Sequence, residues 1–295
     1  MTVDRRTVLR ASARLAALAA AGGVLSACGE PTGPQATAEP RGVSFAARSR
    51  PAHLATDGPA ATGMPAPGQG AAGPPGQTSP SPSTSPPPAA EPSLAPGTPD
   101  EVVSGPPDRP EVALTFHGQG DPALATAVLT AAEQRGARLT VLVVGSWLDQ
   151  QPQMAQRILD GGHELGNHTQ NHLDISTMSA EQAYAEIAEC ADRLQRLTGS
   201  IGRWFRPSAA QYANAMVREQ ARQVGYRHCL SFDMDPRDYT DPGAEVVQRR
   251  VLKAVGGSIV ALHMGHRGTA DALPAILDGL AGRGLTAVTA STLCS

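Results

Sequence analysis

The sequence predicts an α/β domain of parallel strands and crossover helices over residues 108–295, hung on a long irregular N-terminal segment. Three observations predict it. Of the 26 prolines, 19 fall between Pro31 and Pro107, so the chain changes regime near Asp108. From there on, short apolar runs alternate with amphipathic stretches, the pattern of repeated β-α units. Several of those stretches end near a glycine (Gly136, Gly161, Gly199, Gly225, Gly256 or Gly282), where a helix is commonly closed. A single compact fold over all 295 residues is excluded by 31 Gly and 26 Pro beside 3% aromatic content. A formal net charge of −3 argues against nucleic acid as the main partner.

Residues 1–27 read as an export signal. Asp4-Arg5-Arg6-Thr7-Val8-Leu9-Arg10 is a basic region with paired arginines, the twin-arginine pattern, and an Ala-rich apolar stretch from Leu15 to Val24 follows it. That stretch is too short for a stable span, which takes about 20 residues. It ends in Leu25-Ser26-Ala27-Cys28, which resembles the lipobox of bacterial lipoproteins. The resemblance implies cleavage before Cys28, lipidation of its thiol, and anchorage at the outer face of the cell membrane. Residues 28–107 then form a disordered tether rich in Pro, Gly, Ser and Ala, for example Ser79-Pro80-Ser81-Pro82. Chain of this composition buries no core and spans about 3 Å per residue. His53, inside the tether, receives no role.

In the domain, strands are expected at Val112–Phe116, Leu139–Val144, Glu164–Asn167, Arg203–Arg206, His228–Asp233, Ser258–His263 and Leu285–Thr289. Helices are expected at Leu124–Gln134, Gln153–Leu159, Ala180–Leu197, Ala213–Val224, Ala244–Val255 and Leu273–Ala281. A full eight-unit barrel typically takes about 250 residues, so an open or incomplete barrel and a doubly wound sheet both fit. In either, chemistry belongs at the carboxyl ends of the strands.

The sharpest local signal is His168-Thr169-Gln170-Asn171-His172, directly after the third strand. On a helix, imidazoles at i and i+4 share one face and bind a divalent cation through neutral nitrogens. His263 closes one strand, Phe205-Arg206-Pro207 closes another, and Asp235-Pro236-Arg237-Asp238-Tyr239 follows a third, so several functional side chains converge on one mouth.

The order of these motifs, with Leu114-Thr115-Phe116 at the start and Gly162-His163-Glu164-Leu165-Gly166-Asn167 leading into His168, resembles the polysaccharide deacetylase family, the NodB homology domain of carbohydrate esterase family four. The resemblance runs from about Glu111 to the C-terminus. It implies an incomplete seven-stranded (β/α) barrel and metal-dependent removal of acetyl groups from amino-sugar polymers of the cell wall or extracellular matrix. It also implies a divalent metal, zinc foremost, held by one aspartate and two histidines, the latter matching His168 and His172. His263 matches the general acid, Arg206 the residue that orients the base, and Asp238 the carboxylate that tunes the acid, with Tyr239 where a tryptophan is usual. A monomer is expected.

One motif departs. The family's Thr-Phe-Asp-Asp-Gly-Pro reads Thr115-Phe116-His117-Gly118-Gln119-Gly120, followed without a gap by Asp121-Pro122. The base position is therefore His117, and the metal-ligand position is Gly118, which offers no side chain. Neighbouring strand residues face opposite ways, so a side chain at 117 is not a simple replacement for one at 118. Paired aspartates at 117 and 118 are expected to restore activity and tighten zinc. Asp121, Asp235 and His266 are the remaining candidates for a missing role, with His266 expected on the loop surface and His163 in a structural place. Trp147 and Trp204 are expected in core or rim packing. Cys190, Cys229 and Cys294 allow one disulfide and an odd thiol in an exported protein, and nothing selects the pair. Three functions follow: a deacetylase with an altered metal site, a catalytically silent glycan-binding lipoprotein, or a metal-binding scaffold.

Overall fold

The computed structural model describes residues 92–295. The expected export signal, Cys28, His53 and the expected tether up to residue 91 lie outside the described residues. All seven expected strands are present: β2 (Glu111–Gly118), β3 (Thr140–Val143), β4 (Glu164–Asn167), β5 (Trp204–Phe205), β6 (His228–Leu230), β7 (Ile259–His263) and β8 (Thr286–Val288). An eighth, β1 (Glu101–Val102), precedes them. The strands form one parallel sheet in the order β1-β6-β5-β4-β3-β2-β7, with β8 also paired to β2.

The sheet curls into an incomplete barrel. Beyond β6, a single bridge between Met234 and Val260 of β7 joins its two sides. Strand β2 is the hub: β7 pairs with Ala113–His117 on one edge, while β3 and β8 share the other. Its alternation is visible in the packing. Val112, Leu114 and Phe116 are fully buried in the apolar layer with Val128 and Leu129 of helix α1 (Pro122–Glu133), whereas Ala113 joins Leu142, Trp204 and Ile259 in a second cluster inside the barrel. Burying a side chain of that size contributes about 1.5–3 kcal/mol.

The other helices are α2 (Gly145–Gln150), α3 (Gln153–Asp160), α4 (Ala180–Thr198), α5 (Ala215–Val224), α6 (Ala244–Val251), α7 (Arg267–Ala281) and the short α8 (Ala290–Leu293). Ser179 and Gln182 form a reciprocal cap on α4, and Gly199, at φ 79, ends it. Helix α7 begins six residues earlier than expected and carries Pro274 inside. The reason is its continuous buried face, Thr269, Ala272, Leu273, Ile276, Leu277 and Leu280. Helix α6 stops at Val251, and Val255 is exposed.

The ordered fold reaches back beyond Asp108. Cys229 donates to the carbonyl of Asp100, Ser231 to that of Val102, and Gly105 to that of Gly257. Their Pro-rich composition hid this segment, because a two-residue strand carries almost no periodic signal. Among the described residues no helix is long and apolar enough to cross a membrane. Cys190, Cys229 and Cys294 are all free and buried, so none of the three pairs with another. Burial pushes the first two thiols up to about 12 and the third to about 11, which leaves them inert.

Candidate active site

The carboxyl end of β2 delivers His117 to the mouth of the barrel. In register with His263 on β7, it faces inward with Thr115, while Phe116 and Gly118 face the helices. A Cβ on Gly118 would lie 2.8 Å from Cγ1 of Val143 and 2.9 Å from Cγ1 of Val141, both in the sheet-to-helix layer. The expected opposition of 117 and 118 is therefore real, with an unexpected consequence. It is residue 117, and not 118, that looks toward the other histidines.

His168 and His172 follow β4 on an irregular loop, not on the helical face that the i, i+4 spacing predicts. Thr169 and His172 take positive φ values of 68° and 57°. The buried Asn167 side chain holds the turn by accepting from the Thr169 amide (2.8 Å) and donating to the Ile187 carbonyl (2.9 Å) and to the Tyr226 hydroxyl (3.1 Å). The result still gathers the imidazoles. Rings of His117 and His168 stack at 4.0 Å, those of His168 and His172 meet at 4.8 Å, and one nitrogen from each of the three lies within 4.8 Å of the others.

Beside them runs a hydrogen-bonded chain. Arg206, fully buried, donates from Nε to the Leu230 carbonyl (2.8 Å) and from Nη2 to the Thr115 hydroxyl (2.9 Å) and the Ser231 carbonyl (3.0 Å). Its Nη1 lies 3.3 Å from Nε2 of His117, and Nδ1 of His117 lies 2.9 Å from Nε2 of His263. Nδ1 of His263 meets Asp238 Oδ1 at 2.7 Å. Asp238 is clamped in turn by the His263 amide (2.8 Å) and the Thr269 hydroxyl (2.6 Å). Thr115 and Thr269 escaped the sequence reading; only the position of Thr115 inside the Leu114-Thr115-Phe116 motif hinted at its part.

Electrostatics favour neutral imidazoles here. Burial, reinforced by the neighbouring histidines and Arg206, holds His117 and His168 well below the usual 6.5, and burial lowers His172 too. Burial also depresses the Arg206 guanidinium to about 9. For Asp238 burial raises the carboxyl, but hydrogen bonds from His263 and Thr269 outweigh it and leave it below 3.8. Nε2 of His168 is buried with no hydrogen-bond partner, while its Nδ1 sits 3.0 Å from the Arg206 carbonyl. A neutral ring whose Nδ1 proton is so engaged presents an unused lone pair, the condition of a metal ligand. The residues present thus fit a divalent cation.

His117, His172 and His263 line a cleft of about 420 Å³, shared with Phe232, Tyr239 and His266, and His168, Arg206 and Asp238 lie buried behind them. A polysaccharide deacetylase family model matches residues 104–229. A peptidoglycan-N-acetylglucosamine deacetylase of Bacillus cereus is 35% identical over 187 residues, covering 62% of this chain and 87% of that protein. The chain is a member of the polysaccharide deacetylase family. The peptidoglycan-N-acetylmuramic acid deacetylase PdaC of Bacillus subtilis is 27% identical over 200 residues, and the match spans less than half of that protein, 42%. Among solved structures, the Bc1960 peptidoglycan N-acetylglucosamine deacetylase superposes with a TM-score of 0.62 at 25% identity, covering 66% of this chain and 92% of that one. Wild-type BA3943, described as a CE4 family pseudoenzyme from Bacillus anthracis, shares the fold with a TM-score of 0.63 at 22% identity over 67% of this chain and 70% of that one.

Within this member of the polysaccharide deacetylase family, the remaining candidates sort by contact. Asp121 caps α1 by accepting from the Ala123 amide at 2.8 Å and is not a ligand candidate. Asp235 lines the cleft and accepts from the Arg237 amide at 2.7 Å. His266 also lines it, tied to Asp241 at 2.8 Å, rather than standing on the bare loop surface. His163 is structural, accepting from the Leu139 amide at 3.0 Å. Trp147 donates to the Gly120 carbonyl and Trp204 to Glu164, so both are packing residues. Gly120, at φ 92, permits the loop to pass against Gly265, where a Cβ would not fit.

Proposed function

We propose that the protein is an envelope-anchored, metal-dependent deacetylase-type hydrolase that binds N-acetylated amino-sugar polymers and removes their acetyl groups slowly. The observation that carries this reading is the three-histidine cluster with the orphaned Nε2 of His168. His168 and His172 would hold the cation, joined by His117 in the place of the missing aspartate once its Nε2 turns away from Arg206. Such a cation, zinc by donor type, polarises the acetamido carbonyl and acidifies water. Arg206 orients His117 in the metal-free site, and the Asp238–His263 pair is the protonating group for the departing amine. No carboxylate stands at 117 or 118 to take the proton from water. Since such a base typically contributes about 10²–10⁴ in rate, turnover falls short of that of an intact site by that factor. On this reading the lipobox-like Cys28 anchors the chain, and the Pro-rich residues up to 91 let the domain reach peptidoglycan, the polymer that the relatives' names give.

Catalytic silence with glycan binding is the alternative, and one contact favours it: Nδ1 of His117 engages Nε2 of His263, so the acid position is turned to its neighbour. The deciding experiment measures acetate released from N-acetylated peptidoglycan and chitooligosaccharides by the zinc-loaded full chain, with polymer co-sedimentation alongside. Slow release that vanishes in His168→Ala supports the hydrolase. Retained co-sedimentation without acetate establishes the silent binder, and loss of both overturns the glycan reading.

A further inference from the structure

The cleft holds a second aspartate–histidine pair that the chemistry above leaves unused. Asp238 meets Nδ1 of His263 at 2.7 Å, and Asp241 meets Nδ1 of His266 at 2.8 Å, each pair 25 positions apart. Both pairs join the same two segments, the turn over residues 238–241 and the passage from β7 into α7. They differ at the other ring nitrogen. Nε2 of His263 is taken by Nδ1 of His117 at 2.9 Å, whereas among the described residues Nε2 of His266 has no hydrogen-bond partner. His266 is nonetheless firmly held. Asp241 fixes its Nδ1, its carbonyl accepts from the amides of Thr269 (3.1 Å) and Ala270 (3.2 Å), and its ring meets that of His263 edge to face at 5.8 Å. Asp241 itself takes φ 50°, a left-handed conformation that aspartate enters more readily than most residues and that the surrounding fold must maintain. A fixed polar group with one unspent nitrogen on a cleft wall is how a pocket orients what it binds.

We propose that His266 is a sugar-binding contact of this cleft, with Nε2 paired to a hydroxyl of the bound amino-sugar chain and the ring oriented by Asp241. The proposal rests on the glycan reading above and deepens it. A carboxylate only accepts, so Nδ1 donates to Asp241 and Nε2 is left for the ligand. Neutral, that nitrogen accepts; protonated, it donates. A hydroxyl does both and therefore pairs with His266 in either state, which a carbonyl or an amide N–H cannot do. The lining of the cleft suits the same occupant. The loops after β6 and β7 bring the polar groups of Asp235, Tyr239 and His266, and the loop after β5 brings Pro207, Ala209 and Ala210, which are small and apolar. A pyranose ring is divided likewise into a hydroxyl rim and C–H faces. Because His263 touches both His117 and His266, the contact lies beside the acid position and outside the histidine cluster.

The test is titration calorimetry of the full chain, supplemented with zinc, against the N-acetylglucosamine pentasaccharide. His266→Ala is expected to weaken binding about 10-fold, the worth of one hydrogen bond to the ligand. His266→Phe, which keeps a ring against His263 but no polar atom, should lose as much. His266→Gln, whose amide both donates and accepts, should bind within about threefold of wild type. Asp241→Asn keeps the left-handed turn and loosens the ring, so it should cost a few-fold, and it keeps the test alive if His266→Ala fails to fold. In a His266→Ala background the same change should add less than about twofold, because nothing remains to orient. Wild-type affinity in His266→Ala or His266→Phe overturns the contact while leaving the glycan reading intact, and an Asp241→Asn loss undiminished without His266 overturns the pairing. A wild-type chain that binds no pentasaccharide overturns the glycan reading and the contact with it, a result that no variant is needed to recognise.

Discussion

The two ends of the barrel interior treat buried polar groups in opposite ways. At the amino end of the strands, the Glu164 carboxylate accepts from the Thr140 hydroxyl (2.8 Å), the Trp204 indole (3.0 Å), the Ser291 amide (3.2 Å) and the Ser291 hydroxyl. At the carboxyl end, His168 leaves Nε2 unpaired and three neutral imidazoles crowd together. An unpaired buried polar atom costs about 1–3 kcal/mol, so the fold holds its mouth at a loss and its floor at none. A group that is fully satisfied serves structure, and one that is left wanting serves a ligand.

The largest expected effect tests the floor. Glu164→Ala strands the Trp204, Thr140 and Ser291 donors, and urea unfolding should show a loss of about 4 kcal/mol. His168→Ala, by contrast, should destabilise the metal-free protein much less while abolishing tight zinc binding. Equal losses of stability at the two positions would erase the distinction between the ends.

Acid should attack the mouth next. Because burial holds His117 and His168 well below 6.5 in the fold, the unfolded chain binds protons first as pH falls. Stability is therefore full above about pH 6.5 and is lost on going down, by about 1.4 kcal/mol per pH unit for each histidine. Urea unfolding of the metal-free protein at pH 7.5, 6 and 5 measures the slope, and His117→Phe should reduce it by about 1.4 kcal/mol per pH unit. A flat profile would mean that the two rings are not held neutral.

A third change concerns Gly118. From sequence alone, paired aspartates at 117 and 118 are expected to rebuild the family site. The structure redirects that expectation, since the Cβ at 118 meets Val141 and Val143 and heads away from the cleft. The double variant should lose about 1–3 kcal/mol through overpacking and gain no zinc affinity over His117→Asp alone. Tighter zinc binding in the double variant would show that the loop reroutes and would return position 118 to the site.

Much of this was legible before the structure. The β-α alternation located all seven expected strands, because parallel strands buried on both faces read as apolar runs, as in Val112–Phe116 and Ser258–His263. The gathering of His168, His172, Arg206, Asp238 and His263 at one mouth followed from strand ends alone. What the sequence hid was direction. Two positive φ values turn the His168–His172 segment out of the helix its spacing suggests. The hydrogen-bond order through His117 depends on a 2.9 Å contact between residues 146 positions apart. Strand β1 was hidden by its own proline-rich surroundings.

The smallest expected effect separates a cap from a ligand. Asp121 stands four residues beyond His117, close enough in sequence to be a replacement for the lost aspartates, yet its carboxylate accepts from the Ala123 amide at the start of α1 with Pro122 in the first turn. An aspartate in that position satisfies one of the amides that a helix start leaves open and favours its positive end. Asp121→Ala should therefore cost about 1 kcal/mol of stability, which Asp121→Ser largely restores, since a hydroxyl caps as well as a carboxylate does. Zinc affinity should stay within twofold of wild type in both. A zinc loss in Asp121→Ser, with stability recovered, would require a carboxylate in the metal centre after all, and His117 would then be relieved of the role that its three neighbours assign to it.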